Sequence, residues 1–327
     1  MHVLIIGAAG MVGRKLTERL VRDAGLGENP VETMTLVDVI TPEAPAGFDG
    51  RVVLEQADLS AAGEAERLIN TRPDVIFHLA AIVSGEAERD FDKGYRINMD
   101  GMRYLLDAVR HAHDADGYYP RLVFTSSIAV FGAPLPYPIS DDFHTTPLTS
   151  YGTQKAVCEL LLSDYIRRGF LDGIGIRLPT ICIRPGKPNA AASGFFSGIL
   201  REPLVGQEAV LPVTDDIRHW HASPRSAVGF LIHGATMDLS QVGPRRSLSM
   251  PGVSATVGEQ IEALRRIAGD KAVKLIRREP DEMIMRMCAG WAPGFEAKRA
   301  RELGFTAESS FDEIIRVHIE DELGGKL

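Results

Sequence analysis

The sequence predicts an α/β fold, a doubly wound parallel sheet with a smaller C-terminal lobe, from three observations. Short apolar runs alternate with helical patterns through the first half, as successive βαβ units require. A glycine-rich turn follows the first apolar run and opens the first helix, as in a nucleotide-binding turn. Beyond about residue 179 the alternation stops, and strands become few and scattered.

In chain order, strands are expected at 2–6, 33–38, 51–55, 74–79, 121–126 and 173–178. All of them read as too apolar to have a wet face, which suits a sheet covered on both sides. Helices fall at 10–22, at 61–70, in one long run from about 86 to 113, and at 151–168. "TICIRPGKPNAAASGFF", residues 180–196, reads as a loop. Short helices follow at 224–237, 256–267 and 311–322, and Thr256 with Glu259 three residues later has capping-box spacing. The division expected is 1–180 for the sheet domain, with segments near 215–250 returning to it, and 181–327 for the lobe. Such a lobe would close over the carboxyl ends of the strands, where open α/β sheets bind ligands.

A chain of 327 residues is long enough for one large α/β domain or two modest ones, and 45% apolar with 24% charged is the composition of a soluble globular protein. No apolar run approaches the roughly 18 residues that span a bilayer, and "MHVLIIGAAG" lacks the basic start of a signal peptide. Cys158, Cys182 and Cys288 form neither pairs nor metal-like spacings, so a reducing cytoplasm and no metal centre are expected. The net charge of −8 argues against a nucleic-acid partner. It leaves room for a small anionic substrate gripped by a few local arginines.

"VLIIGAAGMVGRKL" sets Gly7, Gly10 and Gly13 between the first strand and the first helix. Glycine serves where chain turns tightly, where backbone nears a pyrophosphate, and where helix meets strand. The helix start then offers free N–H groups to phosphate. Asp38 ends the second strand, where a carboxylate accepts hydrogen bonds from ribose hydroxyls and repels an extra phosphate, which favours NAD over NADP. Asp58 could meet the adenine amino group, or simply cap a helix. In "HLAA", residues 78–81, small side chains let backbone pass close to a flat cofactor, while His78 reads as a packed or capping histidine without chemistry.

"VFTSSIAVFG" places Ser126 and Ser127 at the end of the fifth strand. Tyr151 and Lys155, spaced i,i+4, share one helix face. Removing a secondary alcohol's proton during hydride transfer needs a base, and tyrosine with an ordinary pKa of about 10 is a poor one. A neighbouring ammonium favours phenolate, and a serine hydroxyl steadies the substrate oxygen. Tyr and Lys in a first turn could be surface residues, but the glycine turn and strand-end serines favour an acid–base pair.

Taken together, Gly7-x-x-Gly10-x-x-Gly13, Asp38, Asp58-Leu59, His78-Leu79-Ala80-Ala81, Asn98-x-x-Gly101, Ser126-Ser127 and Tyr151-x-x-x-Lys155 resemble the extended short-chain dehydrogenase/reductase family over essentially the whole chain. The resemblance implies a Rossmann domain, NAD, a tyrosine base helped by lysine, and often a homodimer, for which the 86–113 and Tyr151 helices would serve. It implies a cofactor set of Gly7, Gly10, Met11, Val12, Gly13, Asp38, Asp58, Leu59, Ala80, Ala81, Asn98, Tyr151, Lys155 and Pro179. Ser127 matches the family's catalytic serine, with Ser126 as the adjacent candidate.

Val130-Phe131-Gly132 is similar to short-chain L-threonine dehydrogenases. Residues 177–204 more closely resemble the branch that oxidises D-erythronate, a four-carbon sugar acid, to its 2-oxo acid. That resemblance makes Ser84 a substrate contact. Arg177, Thr180 and Arg184 lie at or just beyond the sixth strand, where a guanidinium could fork onto a carboxylate, though Arg177 could equally be a buried structural pairing. Arg218 matches a position where the family often places a substrate-contacting arginine. Ser223-Pro224-Arg225 replaces the usual acidic pair there, which speaks against a sugar-nucleotide mode, and Ile128-Ala129 after Ser127 speaks against dehydration. The function expected is NAD-dependent oxidation of the C2 hydroxyl of a small sugar acid. The alternatives are L-threonine 3-dehydrogenation, a nucleotide-sugar epimerase or reductase, and a dinucleotide-sensing regulator, which would be expected to lack the Tyr–Lys pair.

Overall fold

A computed structural model describes residues 1–186 and 193–326. Two compact units are formed, one by residues 1–130, 149–177 and 228–248, the other by residues 131–148, 178–227 and 249–327. The first carries most of a seven-stranded sheet. Its strands are β1 (His2–Ile6), β2 (Thr33–Asp38), β3 (Arg51–Gln56), β4 (Val75–His78), β5 (Arg121–Ser127), β6 (Asp172–Leu178) and a short seventh, Ser247–Ser249. Their spatial order is β3-β2-β1-β4-β5-β6 and then the seventh, so the chain winds outward in both directions from β1.

Strand β1 runs parallel to both β2 and β4, and β4 runs parallel to β5. Register decides where chemistry collects. Ile6 lies opposite Val37 and His78, and His78 opposite Phe124. One residue further along each strand stand Gly7, Asp38, Leu79 and Thr125, all at the carboxyl edge. Helices α1 (Met11–Arg22), α2 (Glu64–Ile69), α3 (Gly101–Asp116) and α4 (Ser150–Arg167) belong to this unit. Leu4, Ile76, Leu105, Val109, Phe124 and Leu162 are fully buried between sheet and helices. Burying a side chain of that size contributes roughly 1.5–3 kcal/mol.

Four expectations need correction. Strand β3 is not dry: it is an edge strand whose Arg51, Leu54 and Gln56 are exposed. The run expected at 86–113 is not one helix but Ser84–Arg89, Phe91–Gly94, a π-turn at Tyr95–Asp100 and then α3. Asp90 leaves helical geometry (φ −125°, ψ 86°) and caps the restart by accepting from the Lys93 N–H. The helix expected at 61–70 starts later, at Glu64, after the left-handed Gly63. Residues 194–196, expected to be loop, begin helix α5 (Gly194–Leu204); residues 187–192 of that stretch lie outside the described residues.

The second unit holds β7 (Thr180–Ile181), β8 (Arg218–Ala222) and β9 (Val253–Thr256), a three-stranded sheet in the order β9-β8-β7. Helix α6 (Pro224–Thr236) starts here and continues into the first unit, while α7 (Val257–Val273) and α8 (Phe311–Glu322) pack with α5 on a core of Phe196, Leu200, Ile261, Leu264, Ile314 and Ile315. The Thr256 capping box forms: Thr256 Oγ1 accepts from the Glu259 N–H, and Glu259 accepts from the Thr256 N–H at 2.7 Å. No helix among the described residues is long and apolar enough to cross a membrane.

Candidate active site

The three glycines answer to different demands. A Cβ on Gly7, whose φ is +95°, would sit 2.6 Å from the Ala80 nitrogen. One on Gly13 would sit 2.3 Å from the Gly7 carbonyl oxygen, so strand and helix could not approach. Gly10 is different. Its φ of −69° suits any residue, and a Cβ there meets only the Gly7 oxygen, at 3.3 Å. Gly10 is also the N-cap of α1, with no side chain satisfying the cap and no acidic residue in the first turn. The protein thus leaves the helix N-terminus open around Met11 and Val12, a cradle that fits a pyrophosphate.

Asp38 braces this turn, its carboxylate accepting from the Ala9 N–H at 2.9 Å and from the Val39 N–H at 2.7 Å. Both oxygens retain lone pairs for ribose hydroxyls. Asp58 accepts from the Ser60 N–H and hydroxyl and from Arg96 at 2.9 Å. Burial raises its pKa, but the Ser60 and Arg96 hydrogen bonds outweigh that and hold it below the ordinary carboxylate value. Leu59, beside it, is buried in the helix-side core. Arg96 carried no signal in the sequence, since its partner is 38 residues away.

Asn98 is buried and engaged on every side. Its carbonyl accepts from the Ile82 N–H, and its amide donates to the Ile82 carbonyl and to Gln154 at 2.8 Å. It clamps the segment after Ala80 and Ala81 to the start of α4, which makes it a positioning group for that segment. Ser84 opens the short helix that follows and is half-buried.

Helix α4 starts at a Thr149 cap, whose hydroxyl accepts from the Gly152 N–H. Four and eight residues beyond Tyr151 stand Lys155 and Glu159, both buried, so the inner face of this helix is polar. The Lys155 ammonium donates to the Thr125 carbonyl at 2.8 Å and lies over the Phe124 and Tyr151 rings, 4.7 and 5.8 Å from their centroids. Burial pulls its pKa down to about 8, against a smaller upward pull from Cys158 and Glu159. His78 is buried beside it, and neither ring nitrogen has a hydrogen-bond partner among the described residues; burial, and then the Lys155 charge, push it down to about 3, so the ring is neutral.

Alternation along β5 separates the two serines. Ser126 is buried, and its hydroxyl donates to Glu159 at 2.5 Å. Ser127 is only half-buried, and its oxygen accepts from the Ala129 N–H at 3.1 Å, which leaves its own proton to donate. Glu159 also receives Arg177 as a two-pronged pair, Nη2 to Oε2 at 2.7 Å and Nε to Oε1 at 2.9 Å. The Arg177 guanidinium is therefore engaged inside the fold, as the structural alternative supposed. Glu159, which the sequence reading passed over, is the hub; the signal was its i,i+8 spacing from Tyr151.

Pro179, Thr180, Arg184 and Arg218 belong to the second unit. Pro179 is buried. The Thr180 hydroxyl bonds His219 Nε2 at 2.7 Å. Arg184 donates to the Ile181 carbonyl at 3.0 Å and to Ser193 at 3.2 Å, and its own N–H donates to Ser197. Arg218 pairs with Glu259 at 3.2 Å and reaches the Ser254 carbonyl at 3.4 Å. Where an acidic pair is absent, Ser223 and Ser226 bind Glu308, and Arg225 pairs with Glu320 and Asp321.

A doubly wound sheet with an open glycine turn, a strand-end aspartate and a half-buried tyrosine one turn before a buried lysine describes a dinucleotide-dependent enzyme of the extended short-chain dehydrogenase/reductase class. The model of the NAD dependent epimerase/dehydratase family matches residues 3–221, and the chain belongs to that family. It is 45% identical over 326 residues, 98% of each chain, to a D-erythronate dehydrogenase from Cupriavidus necator. It is 41% identical to a D-erythronate dehydrogenase from Haemophilus influenzae, over 99% of this chain and 100% of that one. A crystal structure from Agrobacterium tumefaciens described as a nucleoside-diphosphate-sugar epimerase superposes with a TM-score of 0.98 at 82% identity, covering 100% of this chain and 95% of that one.

Proposed function

We propose that this chain is an NAD-dependent dehydrogenase that oxidises the C2 hydroxyl of D-erythronate to the 2-oxo acid. The observation that carries the chemistry is the Lys155 ammonium, buried under the Tyr151 ring and fixed by the Thr125 carbonyl. The full-length likeness to two D-erythronate dehydrogenases carries the substrate. NAD, when bound, supplies the hydride acceptor. Gly10, Met11 and Val12 would hold its pyrophosphate and Asp38 a ribose. Tyr151 takes the C2 hydroxyl proton, and the neighbouring positive charge favours the phenolate that does so. Ser127 donates to the same oxygen and orients it. Ser126 and Arg177, both committed to Glu159, are left out of the reacting set. Arg184 is the proposed carboxylate contact and Thr180 a hydroxyl contact, with Ser84 and Arg218 as further substrate-side candidates.

A homodimer through α3 and α4 fits this reading, since Leu160 on α4 is exposed. A cytoplasmic setting fits three buried, unbridged cysteines. A second reading, nucleoside-diphosphate-sugar epimerisation, has the description of the 82% identical structure in its favour. Absorbance of reduced nicotinamide, followed with four-carbon sugar acids, L-threonine and UDP-sugars, tests both. Turnover of D-erythronate that falls about a thousandfold in Tyr151→Phe is the result expected. Turnover of threonine alone, or epimerisation of a UDP-sugar without net NAD reduction, would overturn the reading.

A further inference from the structure

His219 is buried in the second unit, stacked on Phe196 with ring centroids 5.4 Å apart and 9° between planes, with the Trp291 ring 5.2 Å away. Among the described residues it makes two hydrogen bonds: Nδ1 with the Ala292 carbonyl at 3.0 Å and Nε2 with the Thr180 hydroxyl at 2.7 Å. A carbonyl can only accept, so Nδ1 carries the ring proton. Burial pushes the pKa of His219 down to about 4, so the ring holds one proton and Nε2 is a bare acceptor. The hydroxyl proton of Thr180 must then point at Nε2. With that proton committed, Thr180 Oγ1 can offer any further partner only lone pairs.

From this geometry we infer that His219 is a positioning residue that makes Thr180 an obligate hydrogen-bond acceptor, so that Thr180 selects substrates bearing a second hydroxyl beyond the one oxidised. The inference rests on the sugar-acid reading above and deepens it. A carboxylate or carbonyl oxygen cannot satisfy a threonine held this way; a polyol O–H can. Thr180 therefore separates a polyhydroxylated acid from a deoxy acid of the same length, a task distinct from gripping the carboxylate. His219 sits two residues before His221 on β8, and His221 lies opposite Thr180 in the parallel pairing with β7. Residues two apart on a strand share a face, so sheet register delivers the imidazole to the hydroxyl.

The test compares D-erythronate with its 3-deoxy and 4-deoxy analogues (2,4- and 2,3-dihydroxybutyrate) in wild type, Thr180→Val and His219→Phe, beside nitrogen-15 NMR of the imidazole in wild type. In wild type, one deoxy analogue should have a kcat/KM at least about tenfold below that of D-erythronate, mostly through KM, the worth of one neutral hydrogen bond. Thr180→Val should abolish that preference, and His219→Phe in the Thr180→Val background should add nothing to it. The NMR spectrum should show a neutral ring protonated at Nδ1 from pH 6 to 9. An Nε2-protonated ring would overturn the inference. So would an undiminished preference in Thr180→Val, even if His219→Phe fails to fold. A wild type that oxidises no hydroxy acid, with the tautomer as stated, would strike the substrate reading, and this selection with it.

Discussion

Replacing Arg177 by methionine separates a fold-building arginine from a substrate-binding one. Glu159 is 6% exposed and Arg177 14%, and the pair is held by contacts of 2.7, 2.9 and 3.2 Å. Arg177→Met leaves the carboxylate buried with the Ser126 hydroxyl as its remaining partner among these three residues. Breaking a buried pair from one side typically costs about 3–5 kcal/mol, because an uncompensated charge stays inside. That is two orders of magnitude or more in the unfolding equilibrium. Replacing both partners with methionine removes the charge as well, and such double replacements are often close to neutral. Urea unfolding at neutral pH, followed by circular dichroism, should thus rank the double variant well above Arg177→Met. The KM for D-erythronate of the folded Arg177→Met protein should stay within about threefold of wild type. A stability loss below about 1 kcal/mol together with a tenfold rise in KM would refute this account and return Arg177 to the substrate.

The glycine turn makes two opposite forecasts: Gly13→Ala should destabilise by about 2 kcal/mol or more, since its methyl would overlap backbone. Gly10→Ala should fold normally yet bind NAD at least about tenfold more weakly, read by calorimetry. Asp38→Asn should weaken NAD binding by about tenfold or more, through loss of charge-assisted hydrogen bonds, while NADP binding weakens less or improves; equal losses would argue against a ribose contact. For Lys155, a pKa near 8 lies below the ordinary 10.5, so between those values the unfolded chain binds more protons than the folded one. Its burial penalty of about 3 kcal/mol is therefore present below pH 8 and relieved as pH rises toward 10.5. The stability of wild type relative to Lys155→Met should rise across that window, and a flat difference would refute it.

What the sequence made legible was local. The glycine turn, Asp38 and the Tyr–Lys spacing each lie within one element and its first turn, and the register of β1, β2, β4 and β5 carries their strand ends to one edge. What stayed illegible depended on distant partners. The roles of Ser126 and Arg177 are set by Glu159, a residue 33 positions from one and 18 from the other. The break in the 86–113 run turns on a single aspartate capping its own restart. The seventh strand, Ser247–Ser249, is three residues long, too short for any periodicity to mark it. His219 read as one more polar residue in "DIRHWHAS", because its meaning lies in the Ala292 carbonyl 73 residues away.

The chain passes from one unit to the other five times, at residues 130, 148, 177, 227 and 248. Neither unit is thus a contiguous cassette that a single recombination event could lift out or trade for a relative's. If the first unit holds the cofactor and the second the substrate, as proposed above, a lineage with this threading would acquire new substrates by drift within the three separate segments of the second unit, against a first unit that must keep folding throughout. Proteins that share the turn and the Tyr–Lys face can diverge in what they oxidise one substitution at a time. An engineer seeking to graft a new specificity would have to cut at five places or, more simply, none.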